Sequence, residues 1–303
     1  MSAEARFDGG QGKMTTGALR IALAGNPNCG KTTVFNAYTG ARQHVGNYPG
    51  VTVDRKEGHV RHGNADITLV DLPGTYSLTA YSMEELVARA ELGSGDVQAV
   101  INVVDASALE RNLLLTVQMM EMGLPVVLVC NMMDEARKAG VHIDMERLSA
   151  MMGIPVVSAV ARTGEGLQQA LGEAVRLAGE GRHQVLELNY GADIDEGLRA
   201  MCAIINREGL LKKYAPHWIA VKLMEGDAEI ARKCTRPAAR RRRNLMPYAA
   251  RWPSTSVPGT TSPWKPISRM PATGISAGCC VTVWCARMRA KTVWPFPTSW
   301  TRC

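Results

Sequence analysis

Residues Gly25 to Thr32 read Gly-Asn-Pro-Asn-Cys-Gly-Lys-Thr, preceded by the apolar run Leu19–Ala24 (LRIALA) and followed by a helical stretch, TVFNAYTG. A strand, a glycine-bounded loop and a helix in that order leave few folds open. Glycines at both ends let the loop wrap closely, and backbone N–H groups at the helix start can hold an anion. In the pattern G-x-x-x-x-G-K-[ST] the loop cradles phosphate oxygens, the lysine reaches the terminal phosphates and the hydroxyl ligates Mg²⁺. Here those roles fall to Lys31 and Thr32, with Gly25, Asn26, Pro27, Asn28, Cys29, Gly30 and Thr33 as the other candidate phosphate contacts.

Three further apolar runs end in short polar motifs. Ala65–Val70 delivers Asp71-Leu72-Pro73-Gly74; Asp71 can hold Mg²⁺ through water, and the Gly74 N–H can meet a γ-phosphate. Pro125–Cys130 ends at Asn131-Met132-Met133-Asp134, where a carboxylate can accept from both the ring N–H and the exocyclic amine of guanine. Ile154–Val157 ends at Ser158-Ala159-Val160, where a backbone N–H can meet the guanine carbonyl. Each motif is weak alone, but four in this order, each after a strand, point to one nucleotide site. Helical stretches at Met83–Leu92, Leu109–Met122, Asp144–Met152 and Gly166–Ala178 separate the runs. The expected fold is α/β: a P-loop GTPase with a mostly parallel, doubly wound sheet and its ligand at the strand carboxyl ends.

Between the first loop and Asp71 lies HVGNYPGVTVDRKEG, His44 to Gly58, whose glycines, asparagine and proline predict a mobile connection. Within it Gly50-Val51-Thr52 offers a hydroxyl that can complete a Mg²⁺ shell and sense a γ-phosphate, the behaviour of a switch. Many GTPases place a glutamine just after Asp-x-x-Gly to orient the attacking water. Here that position is Thr75, and Tyr76 to Ala80 contain no glutamine. Hydrolysis must then rest on Lys31, Thr52, the Gly74 N–H and added positive charge. The Asn28 carbonyl suits a monovalent cation, which would neutralise transition-state charge; the alternative is that Asn28 only holds the loop.

On these residues the chain resembles the cytoplasmic N-terminal part of the ferrous iron transport protein B family of bacterial inner-membrane proteins. GNPNCGKTTVFNAYTG, VGNYPGVTVDRKEG, DLPGTYSLT and the lysine-free NMMD carry the resemblance, which extends from about Leu19 to about Glu229. LNYGADIDEGLRAMCAIINREG and HWIAVKLMEGD resemble the family's small helical domain, an internal brake on nucleotide release. The resemblance implies a Mg²⁺-dependent GTPase taking GTP and GDP, potassium-stimulated at Asn28, that regulates Fe²⁺ import at the cytoplasmic face of the inner membrane. It implies as partners a membrane domain and small cytoplasmic accessory proteins. The expected layout is a flexible leader (1–17), a GTPase domain (18–180), a small all-α regulatory domain (181–230) and a basic, disordered or out-of-frame tail (231–303). With no apolar run of about 18 residues, the pore is not expected in this chain.

The net charge of +7 divides unevenly. Residues 231–303 hold 14 of 35 Lys and Arg and none of 28 Asp and Glu, so the tail is +14 and the first 230 residues are −7. Three readings are open for the tail. Arg240 to Arg243 with interleaved Trp suit a nucleic-acid arm; Cys279, Cys280 and Cys285 suggest a metal module, although they lack paired C-x-x-C spacing. The third is translation out of frame, favoured by the absence of acidic residues. Plausible codons for Met270–Ile275, read one base earlier, give Asp-Ala-Arg-Tyr-Gly-Tyr, which resembles a segment before the family's membrane domain. The functional alternatives are a GTPase of ribosome or tRNA metabolism and a non-hydrolysing regulator with a basic arm. Elsewhere, Met119, Met120 and Met122 are expected in the core, His44, His59 and His62 on a solvated loop and edge strand, and Cys29 as a loop filler whose thiol Lys31 would acidify somewhat.

Overall fold

The computed structural model describes residues 18–40, 43–79, 81–181, 190–211 and 213–235. Strands β1 (Leu19–Gly25), β2 (Gln43–Asn47), β3 (Asp54–His62), β4 (Ala65–Asp71), β5 (Ala99–Asp105), β6 (Val126–Asn131) and β7 (Val156–Ser158) form one sheet in the order 2-3-4-1-5-6-7. From β4 to β7 all neighbours are parallel, while β2, β3 and β4 run antiparallel. The central strands read as unbroken apolar runs because both of their faces are covered.

Helices α1 (Lys31–Thr39) and α6 (Leu167–Glu180) cover one face, where Phe35, Leu171 and Ala174 meet Ile21, Leu23, Ile101 and Val129. The other face carries α2 (Met83–Leu92), α3 (Leu109–Glu121), α4 (Met133–Lys138) and α5 (Met145–Met152). Side chains alternate between the two layers along β1: Ile21 and Leu23 enter the first, Ala22 and Ala24 the second. Local chemistry sets the helix starts. Ser82 and Glu85 form a reciprocal capping box on α2, and the Asp144 carboxylate accepts from the Arg147 N–H to begin α5.

Helices α7 (Ala192–Glu208), α8 (Pro216–Met224) and α9 (Ala228–Thr235) pack onto the α2–α3 side, joining its core through Leu198, Met201, Trp218, Ile219 and Ile230. Tyr214 stacks on Trp218 at 4.8 Å. Met119, Met120 and Met122 lie in the same core, as expected.

Three features differ from the sequence reading. The stretch read as a mobile connection from His44 to Gly58 is largely a hairpin, β2 paired with β3, with only residues 48–53 as its turn. Central strand β5, AVINVVD, was not among the four runs that flagged motifs, because its own end carries no motif. Helix α9 crosses the boundary placed after residue 230 and buries Cys234; the leader and the rest of the tail lie outside the described residues. Among the described residues, no helix is long and apolar enough to cross a membrane.

Candidate functional site

The parallel strands deliver their carboxyl ends to one edge of the sheet, and every motif sits there. After Gly25 the chain turns through Asn26–Gly30 and enters α1 at Lys31. Close packing dictates the glycines: a Cβ on Gly25 would lie 2.5 Å from the Val103 carbonyl oxygen, and one on Gly30 would overlap the Asn131 amide. Gly30 also holds φ +85°, a conformation that L side chains rarely adopt. Cys29 is buried, which supports its reading as filler but reverses the expected acidification: burial pushes its thiol up to about 11 against the smaller opposing effect of Lys31.

The Lys31 ammonium is buried on the Asp71 carboxylate, joining the phosphate loop to the end of β4. A cleft of about 570 Å³ opens beside this pair, lined by Lys31, Thr32, Thr52, Asp71, Leu72 and Pro73. Two hydroxyls and a carboxylate in one cleft are hard oxygen donors, the chemistry that Mg²⁺ takes. The cleft also exposes Asp54, Lys56 and Glu84, none of which the sequence reading named. The alternation along β3 puts Lys56 beside Asp71 in the register, a signal visible only once β3 is known to be a strand.

Beyond Asp71 the chain continues alongside the loop. Leu72 N–H donates to Leu23 O at 3.0 Å and Thr75 N–H to Gly25 O at 3.3 Å. A Cβ at Gly74 would be 3.4 Å from the Pro27 backbone, so the two loops lie in contact. Gly50 and Thr52 are exposed on the hairpin turn, with Val51 between them partly covered. Asn28 is exposed in the loop with φ +65°.

At the far end of the edge, Asn131 staples three segments. Its amide donates to Cys29 O at 2.9 Å, and its carbonyl oxygen accepts from the Ala161 N–H at 2.9 Å. Met132 holds φ +60° so that Met133 and Asp134 can open α4. The Asp134 carboxylate accepts from Arg162, 3.1 Å away on the loop after β7. Nothing in the sequence marked Arg162; only the register of β6 against β7 brings it opposite Asp134.

The amides expected to read a carbonyl after β7 are engaged internally. Ala159 N–H donates to Cys130 O, Val160 N–H to Glu165 O and Ala161 N–H to Asn131. A bridge between Val160 and Glu165 folds this loop back on itself and uses donors that a freer loop would offer. The three histidines gather no ligand set: among the described residues no group of three His, Cys, Asp or Glu could hold a metal ion.

Comparison with known proteins gives a consistent picture. The family model described as ferrous iron transport protein B matches residues 19–174, and that of the FeoB cytosolic helical domain matches residues 190–245. An Fe(2+) transport protein A/Fe(2+) transporter FeoB fusion protein of Porphyromonas gingivalis is 50% identical over 219 residues, 71% of this chain and 26% of that protein. The Fe(2+) transporter FeoB of Staphylococcus aureus is 41% identical over 209 residues, 69% of this chain and 31% of its own length. The chain thus spans between a quarter and a third of these relatives. Among solved structures, a mutant S. thermophilus NFeoB bound to mGDP is 35% identical, with a TM-score of 0.71 over 77% of this chain and 88% of that one. The cytosolic domain of the T. maritima FeoB iron transporter in its GMPPNP form is 35% identical, with a TM-score of 0.68 over 77% of this chain and 92% of that one.

Proposed function

Since the chain belongs to the ferrous iron transport protein B family and carries its cytosolic GTPase and helical domains, we propose that it binds GTP and GDP and hydrolyses GTP slowly, as the nucleotide switch of an Fe²⁺ importer. The observation that carries this reading is the convergence of Lys31, Thr32, Thr52 and Asp71 on one cleft, with Asn131 and Asp134 farther along the same sheet edge. Relatives crystallised with GDP and GMPPNP support the ligand. This chain spans between a quarter and a third of those relatives, so in this reading the transport step would fall to a membrane domain outside it, and small cytoplasmic accessory proteins would be partners of the intact importer.

In this reading the nucleotide phosphates lie over the loop from Gly25 to Thr33, on its backbone N–H groups. Lys31 leaves Asp71 for the β- and γ-phosphates, an exchange of one anionic partner for another at little electrostatic cost. Thr32, Thr52 and Asp71 would hold Mg²⁺, and the ion when bound would neutralise phosphate charge. Water attacks the γ-phosphate in line while the Gly74 N–H meets a γ-oxygen. With no glutamine after Gly74, the Asn28 carbonyl would hold a K⁺ ion, which when bound would supply the added positive charge. Asp134 releases Arg162 to accept the two guanine donors. The reading of the tail as out of frame is decided by the nucleotide sequence of codons 225–303 together with a C-terminal peptide mass.

The test is a GTPase assay with Mg²⁺ in K⁺ against Na⁺, with Asn28→Ala and Asp134→Asn as variants. K⁺ should raise the rate at least tenfold in the parent chain and leave Asn28→Ala unmoved. Asp134→Asn should weaken GTP binding by 10-fold or more, since one lost charged acceptor contributes about 1.5–3 kcal/mol. Equal rates in both ions would remove the Asn28 role, and unchanged GTP affinity would remove the Asp134 role.

A further inference from the structure

The loop side chain that the proposed chemistry leaves without a task is Asn26. It is only 2% exposed, and neither its amide nitrogen nor its carbonyl oxygen has a hydrogen-bond partner from the protein. An unpartnered buried amide carries its full desolvation penalty, so an apolar side chain of the same size would suit that place better. Its position gives the amide a use. Asn26 stands just past the end of β1, between Gly25, whose carbonyl accepts from the Thr75 N–H, and Pro27, whose backbone lies against Gly74. Both chain neighbours of Asn26 thus touch the segment that follows Asp71.

That segment is fastened at two points only a few residues apart. Thr75 N–H donates to Gly25 O, next to Asn26, and Leu78 N–H donates to the Gln118 side chain at 2.7 Å. Between them run Tyr76, which is 46% exposed, and Ser77, whose hydroxyl is tied to Glu85. A primary amide presents one donor face and one acceptor, complementary to a peptide group, which has one of each. The peptide groups of Gly74 and Thr75 lie across that loop contact, against Pro27 and Gly25 on either side of Asn26, and there the sequence lacks a water-orienting glutamine.

We propose that Asn26 is a positioning residue for GTP hydrolysis: its side-chain amide grips the peptide backbone at Gly74–Thr75 when a γ-phosphate draws that segment in, and so fixes the Gly74 N–H and the attacking water. The proposal rests on the GTPase reading above. It assigns to the loop's first asparagine a role separate from the cation role of Asn28, because Asn28 is exposed and Asn26 is buried.

The experiment compares the parent chain with Asn26→Leu, close in volume but without polar atoms, and with Asn26→Ala as a smaller alternative. Four quantities are read: Tm of nucleotide-free protein, affinity for mant-GDP, affinity for a mant-labelled non-hydrolysable GTP analogue, and single-turnover hydrolysis in K⁺. The expected result for Asn26→Leu is an unchanged or higher Tm, GDP affinity within twofold, at least a fivefold loss in the ratio of GTP-analogue to GDP affinity, and at least a tenfold slower turnover. K⁺ stimulation should persist, which separates this residue from Asn28. Should leucine prevent folding, Asn26→Ala must show the same loss of affinity ratio and rate. Parent-like turnover in either folded variant would overturn the proposal, as would equal losses of GDP and GTP-analogue affinity alongside a lower Tm, the pattern of a purely structural amide. Failure of the parent chain to bind or hydrolyse GTP would instead overturn the reading on which the proposal rests.

Discussion

Glu121 sits at the end of α3, 2% exposed, where its carboxylate accepts from the Tyr190 hydroxyl at 2.8 Å. Burial pushes its pKa up to about 7, against the opposing pull of that hydrogen bond and of buried Lys222, which itself pairs with Glu225 at 2.7 Å. The folded protein therefore holds a proton that the unfolded chain releases near pH 4.5. Between those values the folded state binds more protons, so this residue's contribution to stability is full below about pH 4.5 and declines as pH rises through about 7. A shift of this size corresponds to roughly 3 kcal/mol. Replacing Glu121 by Gln should flatten the decline across that interval, and Tm measured at pH 5, 6, 7 and 8 for both chains checks it; parallel curves would mean that Glu121 titrates normally. The same economy of contacts governs Asn131, which a sequence motif reads as a base contact. Its two hydrogen bonds to Cys29 and Ala161 make it first a staple between the phosphate loop and the loop after β7.

At the scale of elements, α2 is the joint between the two domains. Arg89, 1% exposed, reaches from α2 to Asp227, 2.5 Å away, and to Glu229, and its guanidinium lies 5.9 Å from the Trp218 ring centre. Asp227 in turn accepts from the Ile230 N–H at 2.9 Å, so one arginine holds the start of α9. Replacing Arg89 by Met would leave the buried Asp227 carboxylate without its cation, while Glu229 keeps Lys233 at 2.7 Å; removing one partner of a buried pair costs about 3–5 kcal/mol. Urea unfolding of the two chains measures that loss, and hydrogen exchange should quicken in α9 before it does in β1 or β5. The α2–α9 link was not legible in the sequence, since 138 residues separate Arg89 from Asp227 and neither lies in a nucleotide-binding motif. What was legible followed from local rules: a glycine-bounded loop between strand and helix, carboxylates at the ends of apolar runs, and the Ser82–Glu85 cap. What was not legible needed partners from elsewhere. The β2–β3 hairpin looks polar and glycine-containing because only one of its strands is sheltered by a second neighbour, and β5 has no terminal motif to announce it. The engaged amide of Val160 depends on a loop closure that no residue type foretells, and that of Ala159 on the pairing of β6 with β7.

Across the whole molecule, charge and burial part company at the end of α9. Residues 236–303 carry 12 Lys and Arg and no Asp or Glu, so their removal changes the net charge from +7 to −5. The family's helical-domain model continues to residue 245, past the point where acidic residues stop, while buried contacts are described as far as Cys234. The two facts set up a comparison of two shortened chains. Ending the chain after Thr235 keeps Ile230, Cys234 and the Glu229 partner of Arg89, so Tm should stay within about 2 °C of the parent, because 1 kcal/mol shifts a domain of this size by about 2–4 °C. Ending it after Asp227 removes all three. Loss of a fully buried isoleucine alone costs about 1.5–3 kcal/mol, and half of the Arg89 cluster goes with it. Thermal melts together with mant-GDP binding decide the matter. A large drop in Tm for the longer fragment would mean that residues beyond 235 complete the helical domain, whereas loss of low-salt nucleic-acid retention without a change in Tm would mark them as a binding arm.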